Sequence, residues 1–378
     1  MQFSFFHLMP WTELTEPPRE WPASNRSFDP VRGKELYDTY LDTLAFAEEC
    51  GFSWTSCNEH HFSPYGLMAN CNLVASVLAQ RTKHIKLGVV GNLVPLLNPV
   101  RVAEEYAMLD VMSGGRLVAG LLRGVPHEYI AYNIPPGESR ARLKEAVELI
   151  LKAWTEPEPF GWEGEFYRYP SVSIWPRPWQ QPHPRILLSA SNAESAEFAA
   201  EFARYRPMIG IVLISDLGAT RQAIDLFREK SRERGYDPGP ADIMTGHHTV
   251  IADTDAEAFE LMRSAEAYFH GVLMRSMHDA QKLVIQKTRY FGDEKATKRV
   301  GDHLADIKRM SLEELVETGS ILCGSPESVV KQIKRLRDEL GHGVIQMTMK
   351  IGSLPEPAVR RGMELFRDRI LPELGGDE

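Results

Sequence analysis

Short apolar runs alternate with amphipathic segments along the whole chain of 378 residues. The apolar runs have the length and residue types of buried strands, while the segments between them carry apolar residues at the three- and four-residue spacing of helices. This alternation predicts parallel strands joined by crossover helices, which is the arrangement of α/β proteins. Eight strands are predicted, near residues 3–8, 53–58, 85–90, 117–121, 186–189, 208–214, 243–250 and 344–349.

Eight parallel strands are the number that a closed (β/α)8 TIM barrel needs, and barrels with insertions reach this chain length as one unit. We therefore predict a single barrel domain over residues 1–378. The predicted helices lie near residues 35–50, 72–81, 100–112, 140–154, 193–202, 219–234, 255–270 and 326–340.

Two stretches interrupt the alternation. Residues 157–184, before the fifth strand, are rich in Pro, Trp and Tyr, and we interpret them as an ordered insertion because their aromatic side chains favour packing. Residues 271–319, after the seventh strand, mix Arg, Lys, Asp and Met without a clear strand. A segment of that length in a compact domain is often a lid, and we predict one here.

Composition and charge exclude several classes of protein. The formal net charge of -9 disfavours nucleic acid and anionic membranes as partners, because both attract clustered basic surfaces. Four cysteines without a CxxC pair predict neither a disulfide framework nor a thiolate zinc site. The N-terminal residues lack a basic start with a long apolar stretch, and no later segment resembles a membrane span. We expect a cytoplasmic protein without a metal.

An acid and two imidazoles follow the second predicted strand, at the end where barrel enzymes hold their active sites. These residues are Glu59, His60 and His61. Adjacent histidines on an extended segment point to opposite faces, so the pair suggests one base with a supporting neighbour more than a two-histidine metal site. Taken alone, the pair is explained more simply as two structural polar residues at a strand end.

Polar groups also follow the third, fourth and fifth predicted strands. Residues 90–92 end the third strand with Val90, Gly91 and Asn92, and Arg123 follows the fourth. A guanidinium there suits a carboxylate or phosphate ligand, or a salt bridge with Glu128 or Glu59. Residues 189–195 run from the fifth strand into a helix, whose free backbone N–H groups either bind an anion or are satisfied by an ordinary N-cap.

Three further features are weaker indications. Arg140, in the first turn of a predicted helix, is a second candidate cation, although most such arginines are solvated. The pair His247 and His248 on the seventh strand is interpreted as structural. No G-x-G-x-x-G follows a predicted strand, so a dinucleotide-binding fold has no support.

Several segments together resemble the bacterial luciferase-like, flavin-dependent monooxygenases. The resemblance covers nearly the whole chain, and it depends on the order and spacing of pieces that are individually weak. The matching pieces are residues 59–62, 98–101 with 104–105, 109–116, 123–124, 189–195 and 324–327.

The resemblance implies a (β/α)8 barrel that binds reduced FMN supplied by a separate flavin reductase. By position, His60 matches the family's catalytic histidine, with Glu59 and His61 as its neighbours. The family's positions that hold the FMN phosphate match Arg123, Arg140, Ser191, Asn192 and Ser195. Val90 and Gly91 match the site of a non-prolyl cis peptide bond beneath the flavin ring, and we place Asn92 in the same cofactor site. Luciferase α chains carry a reactive Cys where this chain has Leu122, and this departure argues against light emission.

The implied function is a two-component monooxygenase that uses reduced FMN and O2 to oxygenate a small organic substrate, such as an aldehyde, a ketone or another apolar compound. The family often forms dimers, so a homodimer is expected. Three alternatives stay open. They are a deazaflavin-dependent oxidoreductase, a metal-dependent hydrolase for which the first strand offers only His7, and a non-catalytic flavin-binding partner subunit, which has no need of His60.

Overall fold

The computed structural model describes residues 1–212, 214, 216–288, 290 and 310–375. Its strands, in chain order, are β1 (Gln2–His7), β2 (Trp54–Cys57), β3 (Lys86–Leu93), β4 (Leu117–Leu122), β5 (Phe160–Glu163), β6 (Arg168–Val172), β7 (Arg185–Ser189), β8 (Met208–Val212), β9 (Ile243–Ile251), β10 (Ile321–Gly324) and β11 (Val344–Lys350).

Eight parallel strands close into a barrel in the order β1-β2-β3-β4-β7-β8-β9-β11, and β11 pairs with β1 to complete it. These are the eight strands that the sequence predicts, so the prediction of an α/β TIM barrel is confirmed. The short strand β10, which was not predicted, pairs in parallel with the second half of β9.

Helices of the described residues surround the barrel, and those predicted from spacing lie within a few residues of their expected positions. The helices are α1 (Pro30–Glu49), α2 (Cys71–Arg81), α3 (Pro99–Ser113), α4 (Pro126–Ala131), α5 (Ser139–Thr155), α6 (Ala193–Glu201), α7 (Leu217–Arg232), α8 (Asp255–Tyr268), α9 (Arg275–Lys287), α10 (Leu312–Glu317), α11 (Pro326–Leu340), α12 (Glu356–Leu365) and α13 (Leu371–Leu374).

Local sequence chemistry sets several helix ends. The side chains of Asn70 and Asn98 accept backbone N–H groups at the starts of α2 and α3, which is the usual work of an N-cap residue. Pro99 then occupies the first turn of α3, where its missing N–H is harmless. Gly114, with a φ of 66°, ends the same helix in the left-handed conformation that glycine tolerates best.

The barrel interior is filled at the amino-terminal ends of its strands. An apolar cluster occupies this end, formed by Trp54, Val118, Leu187, Met208, Met244 and Val344, and Val90 extends it toward the carboxyl end of β3. Two residues further along their strands, the hydroxyls of Ser4 and Ser56 are 2.6 Å apart. A Cβ on Gly88 would lie 2.3 Å from Ser56 Oγ, so glycine is required there. The site must therefore be built at the carboxyl ends.

The insertion before β7 is ordered, as its composition predicts. Strands β5 and β6 form an antiparallel pair, and Trp162 Nε1 donates to Glu145 on α5 at 3.1 Å. Near the end of the insertion, the backbone N–H and the side-chain amide of Gln180 both donate to Asp110 at 2.7 Å. These contacts attach the insertion to helices α3 and α5.

The segment after β9 has more regular structure than the sequence indicates. Helix α9 occupies residues 275–287 and buries only a few side chains, among them Met277 and Ile285. The apolar pattern of this helix is sparse, which explains why it was not predicted. Residues 289 and 291–309 lie outside the described residues, so the lid prediction stays untested for them.

Arg116 joins three elements at the amino-terminal end of the barrel, between β3 and β4. Its guanidinium donates to oxygen atoms at the ends of α2 and α3 and at the start of β3, at 2.8 to 3.1 Å. The acceptors are the carbonyls of Ser113, Ile85, Ala79 and Thr82 and the hydroxyl of Thr82. The stretch 109–116, which contributed to the family resemblance, is therefore a structural junction.

Replacing Arg116 with Met should lower the free energy of unfolding by about 3 kcal/mol, because several carbonyls lose a charged donor at once. Urea denaturation followed by circular dichroism measures this change. Arg81→Met is the control, because Arg81 makes an exposed ion pair with Asp42 and such pairs contribute little. Equal losses in the two variants would show that the Arg116 contacts add nothing specific.

Candidate active site

The segment that leaves β2 brings an acid and two histidines to the carboxyl-terminal rim of the barrel. Glu59 and His61 are buried, with exposures of 3% and 6%. The side chain of His60 keeps 16% of its surface exposed. The three neighbours therefore differ in their access to a ligand, and His60 is the accessible one.

His60 is paired with a carboxylate that comes from another strand end. Its Nδ1 lies 3.3 Å from Oε1 of Glu128, in the first turn of α4. The same oxygen accepts the backbone N–H of His61 at 2.9 Å. Burial would raise the pKa of the Glu128 carboxyl, but the hydrogen bonds from His60 and from the His61 backbone reverse this effect and hold that pKa below its usual range.

This pairing leaves one nitrogen of His60 available. Because an ionised carboxylate only accepts hydrogen bonds, Nδ1 carries the proton and Nε2 is the basic nitrogen of the neutral ring. Nε2 meets no hydrogen-bond partner in the described part of the chain. The edge of the ring packs against Tyr65, with the ring centroids 4.6 Å apart. His60 thus has the arrangement of a general base held by a buried acid.

His61 has both ring nitrogens occupied. Nε2 lies 3.2 Å from Glu59 Oε1, and Nδ1 lies 2.9 Å from the hydroxyl of Tyr132. The other oxygen of Glu59 accepts from the thiol of Cys71 at 3.6 Å. The two histidines therefore point to different partners, as their extended backbone predicts, and His61 and Glu59 support the segment that carries His60.

The end of β3 has two notable features, one in the backbone and one in a side chain. The Val90–Gly91 peptide bond is cis, as the resemblance implies. Asn92, however, is only 1% exposed and donates through Nδ2 to Asn72 on α2 at 3.1 Å. The side chain of Asn92 is committed to holding β3 against α2. Its placement among the cofactor-binding side chains is therefore corrected here.

Two arginines meet at the ends of β4 and the start of α5. Arg123 Nε donates to the hydroxyl of Ser139 at 3.1 Å, and its guanidinium lies 3.8 Å from the ring centre of Tyr290. Arg140 lies over Phe198 and makes an ion pair with Glu194 at 3.2 Å. Burial and the neighbouring charge of Arg123 lower the pKa of Arg140. Two adjacent guanidinium groups favour an anion between them.

The amino-terminal end of α6 lies beside Arg140, because Glu194 belongs to its first turn. Asn192 and Ser195 form a capping box in which each side chain accepts the backbone N–H of the other, at 2.9 and 3.0 Å. The ordinary N-cap explanation is thus correct for these two side chains. Ser191 is exposed just before the cap. Both arginines, the Ser191 hydroxyl and the helix end fit the terminal phosphate of a flavin nucleotide.

The sequence did not identify Glu128 or Tyr132 as partners of the histidines, nor did it identify His127. Glu128 was considered only as a salt-bridge partner of Arg123. Its contact with His60 joins residues 68 positions apart, which no local pattern encodes. A proline followed by a histidine and an acid just after a strand end is the only signal that could have drawn attention to this segment.

His127 is fully buried beside this site, and neither ring nitrogen has a hydrogen-bond partner within the described ranges. Its ring meets that of Trp21 edge-on at 4.6 Å. Burial lowers the pKa of His127 to about 4. The imidazole is therefore neutral in the folded protein at neutral pH.

A family model described as luciferase-like monooxygenase matches residues 20–343. The chain belongs to the luciferase-like monooxygenase family. It is 29% identical over 241 residues to the oxygenase component of the flavin-dependent trigonelline monooxygenase of Acinetobacter baylyi, a match that covers 62% of this chain and 64% of that protein.

Solved structures of other proteins share the fold over the full length. A monooxygenase, RslO1 from Streptomyces bottropensis, superposes with a TM-score of 0.76 at 28% identity, covering 98% of this chain and 99% of that one. The oxygenating constituent of 3,6-diketocamphane monooxygenase from Pseudomonas putida, solved with FMN, gives a TM-score of 0.74 at 22% identity and covers 99% of both chains. By sequence, the match spans only 57% and 64% of the length of two curated relatives.

Among the residues that the structure describes, no three or more His, Cys, Asp or Glu side chains are arranged to hold a metal ion. Nor does this part of the chain contain a helix long and apolar enough to cross a membrane. All four cysteines are buried free thiols.

Replacing His127 with Phe should reduce the acid sensitivity of folding. Between the ordinary histidine pKa near 6.5 and the folded value of about 4, the unfolded chain binds a proton that the folded chain does not. Stability is therefore lost as the pH falls through this window. The variant should shrink the difference in unfolding free energy between pH 7 and pH 4 by about 2 to 3 kcal/mol.

Urea denaturation at pH 7 and pH 4 measures this difference. His84→Phe is the matched control, because His84 is exposed and its replacement should leave the difference unchanged. An unaltered pH dependence in His127→Phe would contradict the assignment of a buried neutral imidazole.

Proposed function

We propose that this protein is the oxygenase component of a two-component system, which uses reduced FMN and O2 to oxygenate a small organic substrate. An aldehyde, a ketone or another apolar compound fits this role. The proposal depends on one observation: the segment after β4 supplies both Arg123, for an anion, and Glu128, which holds His60. A cofactor phosphate and a base would thereby be positioned by the same six residues of chain, 123–128.

The cofactor phosphate would be held by charged and backbone groups together. Arg123 and Arg140 would donate charge-assisted hydrogen bonds, while Ser191 and the start of α6 would add neutral donors. Glu194 forms an ion pair with Arg140, so the phosphate would have to displace that carboxylate. Reduced FMN, when bound, supplies the electrons that activate O2.

His60 would exchange a proton at Nε2 during the reaction. Glu128 keeps the imidazole in the orientation that presents this nitrogen, and a positioned imidazole can act as general base or general acid. Glu59, His61 and Tyr132 would hold the backbone of the segment in place. Removing any of them should affect His60 only indirectly.

The proposal includes partners and an assembly. A flavin reductase would supply reduced FMN, and the reducing conditions of the cytoplasm suit the four free thiols. We also propose a homodimer. Its support is a set of apolar side chains exposed on the neighbouring helices α2 and α3, namely Leu73, Val77, Met108, Val111 and Met112.

Replacing Arg140 with Met should weaken the binding of FMN by about ten- to a hundred-fold, the effect of losing one strong charge-assisted contact. Riboflavin, which lacks the phosphate, should bind wild type and variant alike. Fluorescence titration with the two flavins measures both affinities.

The matched control is Arg142→Met on the same helix, because Arg142 pairs with Glu138 at 2.8 Å and not with the anion site. This variant should bind FMN like the wild type. If Arg140→Met weakened riboflavin as much as FMN, the assignment of Arg140 to the phosphate would be wrong.

Replacing His60 with Ala should lower oxygen transfer by about a hundred-fold or more, the usual contribution of a positioned base, while FMN affinity changes little. Incorporation of ¹⁸O from labelled O2 into a panel of aldehydes, ketones and ring alcohols measures the transfer in the presence of a reductase. Glu128→Gln, which keeps His60 but removes its carboxylate, should give a smaller loss. Equal turnover in His60→Ala and the wild type would refute the role of His60.

Two rival functions make different predictions for the same assays. An F420-dependent secondary alcohol dehydrogenase shares this fold with a TM-score of 0.67 at 17% identity, which keeps a deazaflavin-dependent oxidoreductase in consideration. Titration with each reduced cofactor, followed by oxygen uptake, separates the two activities. A non-catalytic flavin-binding subunit would consume no O2 with reduced FMN on any substrate.

A further inference from the structure

A second histidine and carboxylate pair lies on β9 and α8. His248 Nδ1 is 2.5 Å from Glu266 Oε1, and the other oxygen of Glu266 is 3.1 Å from Nε2 of His270. The sequence suggested that His247 and His248 are both structural. This holds for His247, whose two nitrogens bond Gly319 O at 2.6 Å and Thr245 Oγ1 at 2.8 Å. His248 differs, since its only described hydrogen bond uses Nδ1.

The strand geometry directs His248 into the barrel. Met244 belongs to the apolar cluster inside the barrel, and alternate residues of a strand share one face. Gly246 and His248 therefore continue the inner face toward the carboxyl end of β9. The side chain of His248 keeps 18% of its surface exposed, and among the described residues its hydrogen bond is made through Nδ1 and not through Nε2.

Two aromatic rings connect His248 to the site already described. Phe269 packs edge-on against His248 at 5.3 Å and lies 5.6 Å from Tyr65. Tyr65 in turn packs against His60 at 4.6 Å. Two imidazoles, each oriented by its own carboxylate, thus line one rim with an aromatic wall between them.

The charges around the two histidines favour a neutral ligand. Burial would raise the pKa of Glu266, but His248 and His270 more than offset this effect and hold that pKa below its usual range. The carboxylate is thus ionised and accepts the proton on Nδ1, and in the tautomer with Nδ1 protonated Nε2 is a hydrogen-bond acceptor. Glu59, Glu128 and Glu266 together disfavour an anionic substrate group nearby.

We propose that His248 is a substrate-binding residue whose Nε2 accepts a hydrogen bond from the hydroxyl of a phenolic substrate, with the aromatic ring against Tyr65 and Phe269. The inference rests on the proposed function, since it places this substrate between His248 and the base His60. It narrows the substrate from any small apolar compound to a ring that carries a hydroxyl group. His270, which is 48% exposed, pairs with the far oxygen of Glu266, and its ring packs against Phe269 and stacks on His278. We do not include it in the binding site.

The test compares phenols with their methyl ethers on the full chain saturated with FMN. Phenol and anisole, 2-naphthol and 2-methoxynaphthalene, and 4-phenylphenol and 4-methoxybiphenyl are titrated by calorimetry. The wild type should bind at least one phenol about five- to ten-fold more tightly than its ether, the usual effect of one neutral hydrogen bond. If each ether bound as tightly as its phenol in all three pairs, the proposal would be overturned.

Two variants test whether Nε2 of His248 causes the tighter binding of phenols than of their ethers. His248→Phe should abolish this preference. His248→Asn should abolish it too, because its amide can still donate to Glu266 but offers no acceptor at the place of Nε2. His270→Gln, the matched control, should keep it. A preference that survives in either folded His248 variant would overturn the proposal.

FMN titration of the same samples distinguishes this inference from the function on which it rests. Normal FMN binding without a phenol preference overturns the role of His248 alone. Failure of the wild type to bind FMN overturns the proposed function, whereas a phenol preference measured without flavin would still support the binding site at His248.

Discussion

The architecture depends on one closure, the parallel pairing of β1 with β11. Residues from opposite ends of the chain meet there, with Gln2 aligned to Val344 and Phe6 to Thr348. Once this pairing is made, all eight carboxyl ends lie on a common rim. Groups that are widely separated in sequence then become neighbours, because the rim has a limited circumference. His60, Arg123, the start of α6 and His248 lie on one rim for this reason.

Two carboxylates, the buried Glu128 and the largely buried Glu266, orient the histidines of the rim. An ionised carboxylate inside a protein is costly unless donors surround it. Glu128 meets the His60 side chain and the His61 backbone, and Glu266 lies between two imidazoles. In each pair the acid fixes which ring nitrogen carries the proton. The orientation of the histidines therefore follows from the need to satisfy a buried charge.

The sequence predicted what depends on local pattern. Strand periodicity located every barrel strand, and the helical spacing of apolar residues predicted α3 over 100–112, close to its observed range Pro99–Ser113. The register of polar residues after the strands also indicated that His60 and Arg123 belong to one rim. The family resemblance, and not the residue pattern, implied the cis peptide bond at Val90–Gly91.

Features that depend on long-range contacts were not predictable in the same way. The partner of His60 is Glu128, and the partner of His248 is Glu266, and neither pairing has a local signature. Asn92 was misassigned because its position after a strand suggested the rim, while its side chain turns outward to Asn72. Helix α9 has too few apolar residues for its period to be visible, and β10 is only four residues long.

The connection between β4 and α4 has a consequence for how such a protein can diversify. Arg123 and Glu128 lie five residues apart on one short path, so a change in the geometry of that path would move the Arg123 guanidinium and the carboxylate paired with His60 together. The opposite wall, with His248 and Phe269, belongs to a different part of the chain. His248 and Phe269 can therefore be replaced without a change in the Arg123–Glu128 connection, so the two sides of the rim are able to vary separately.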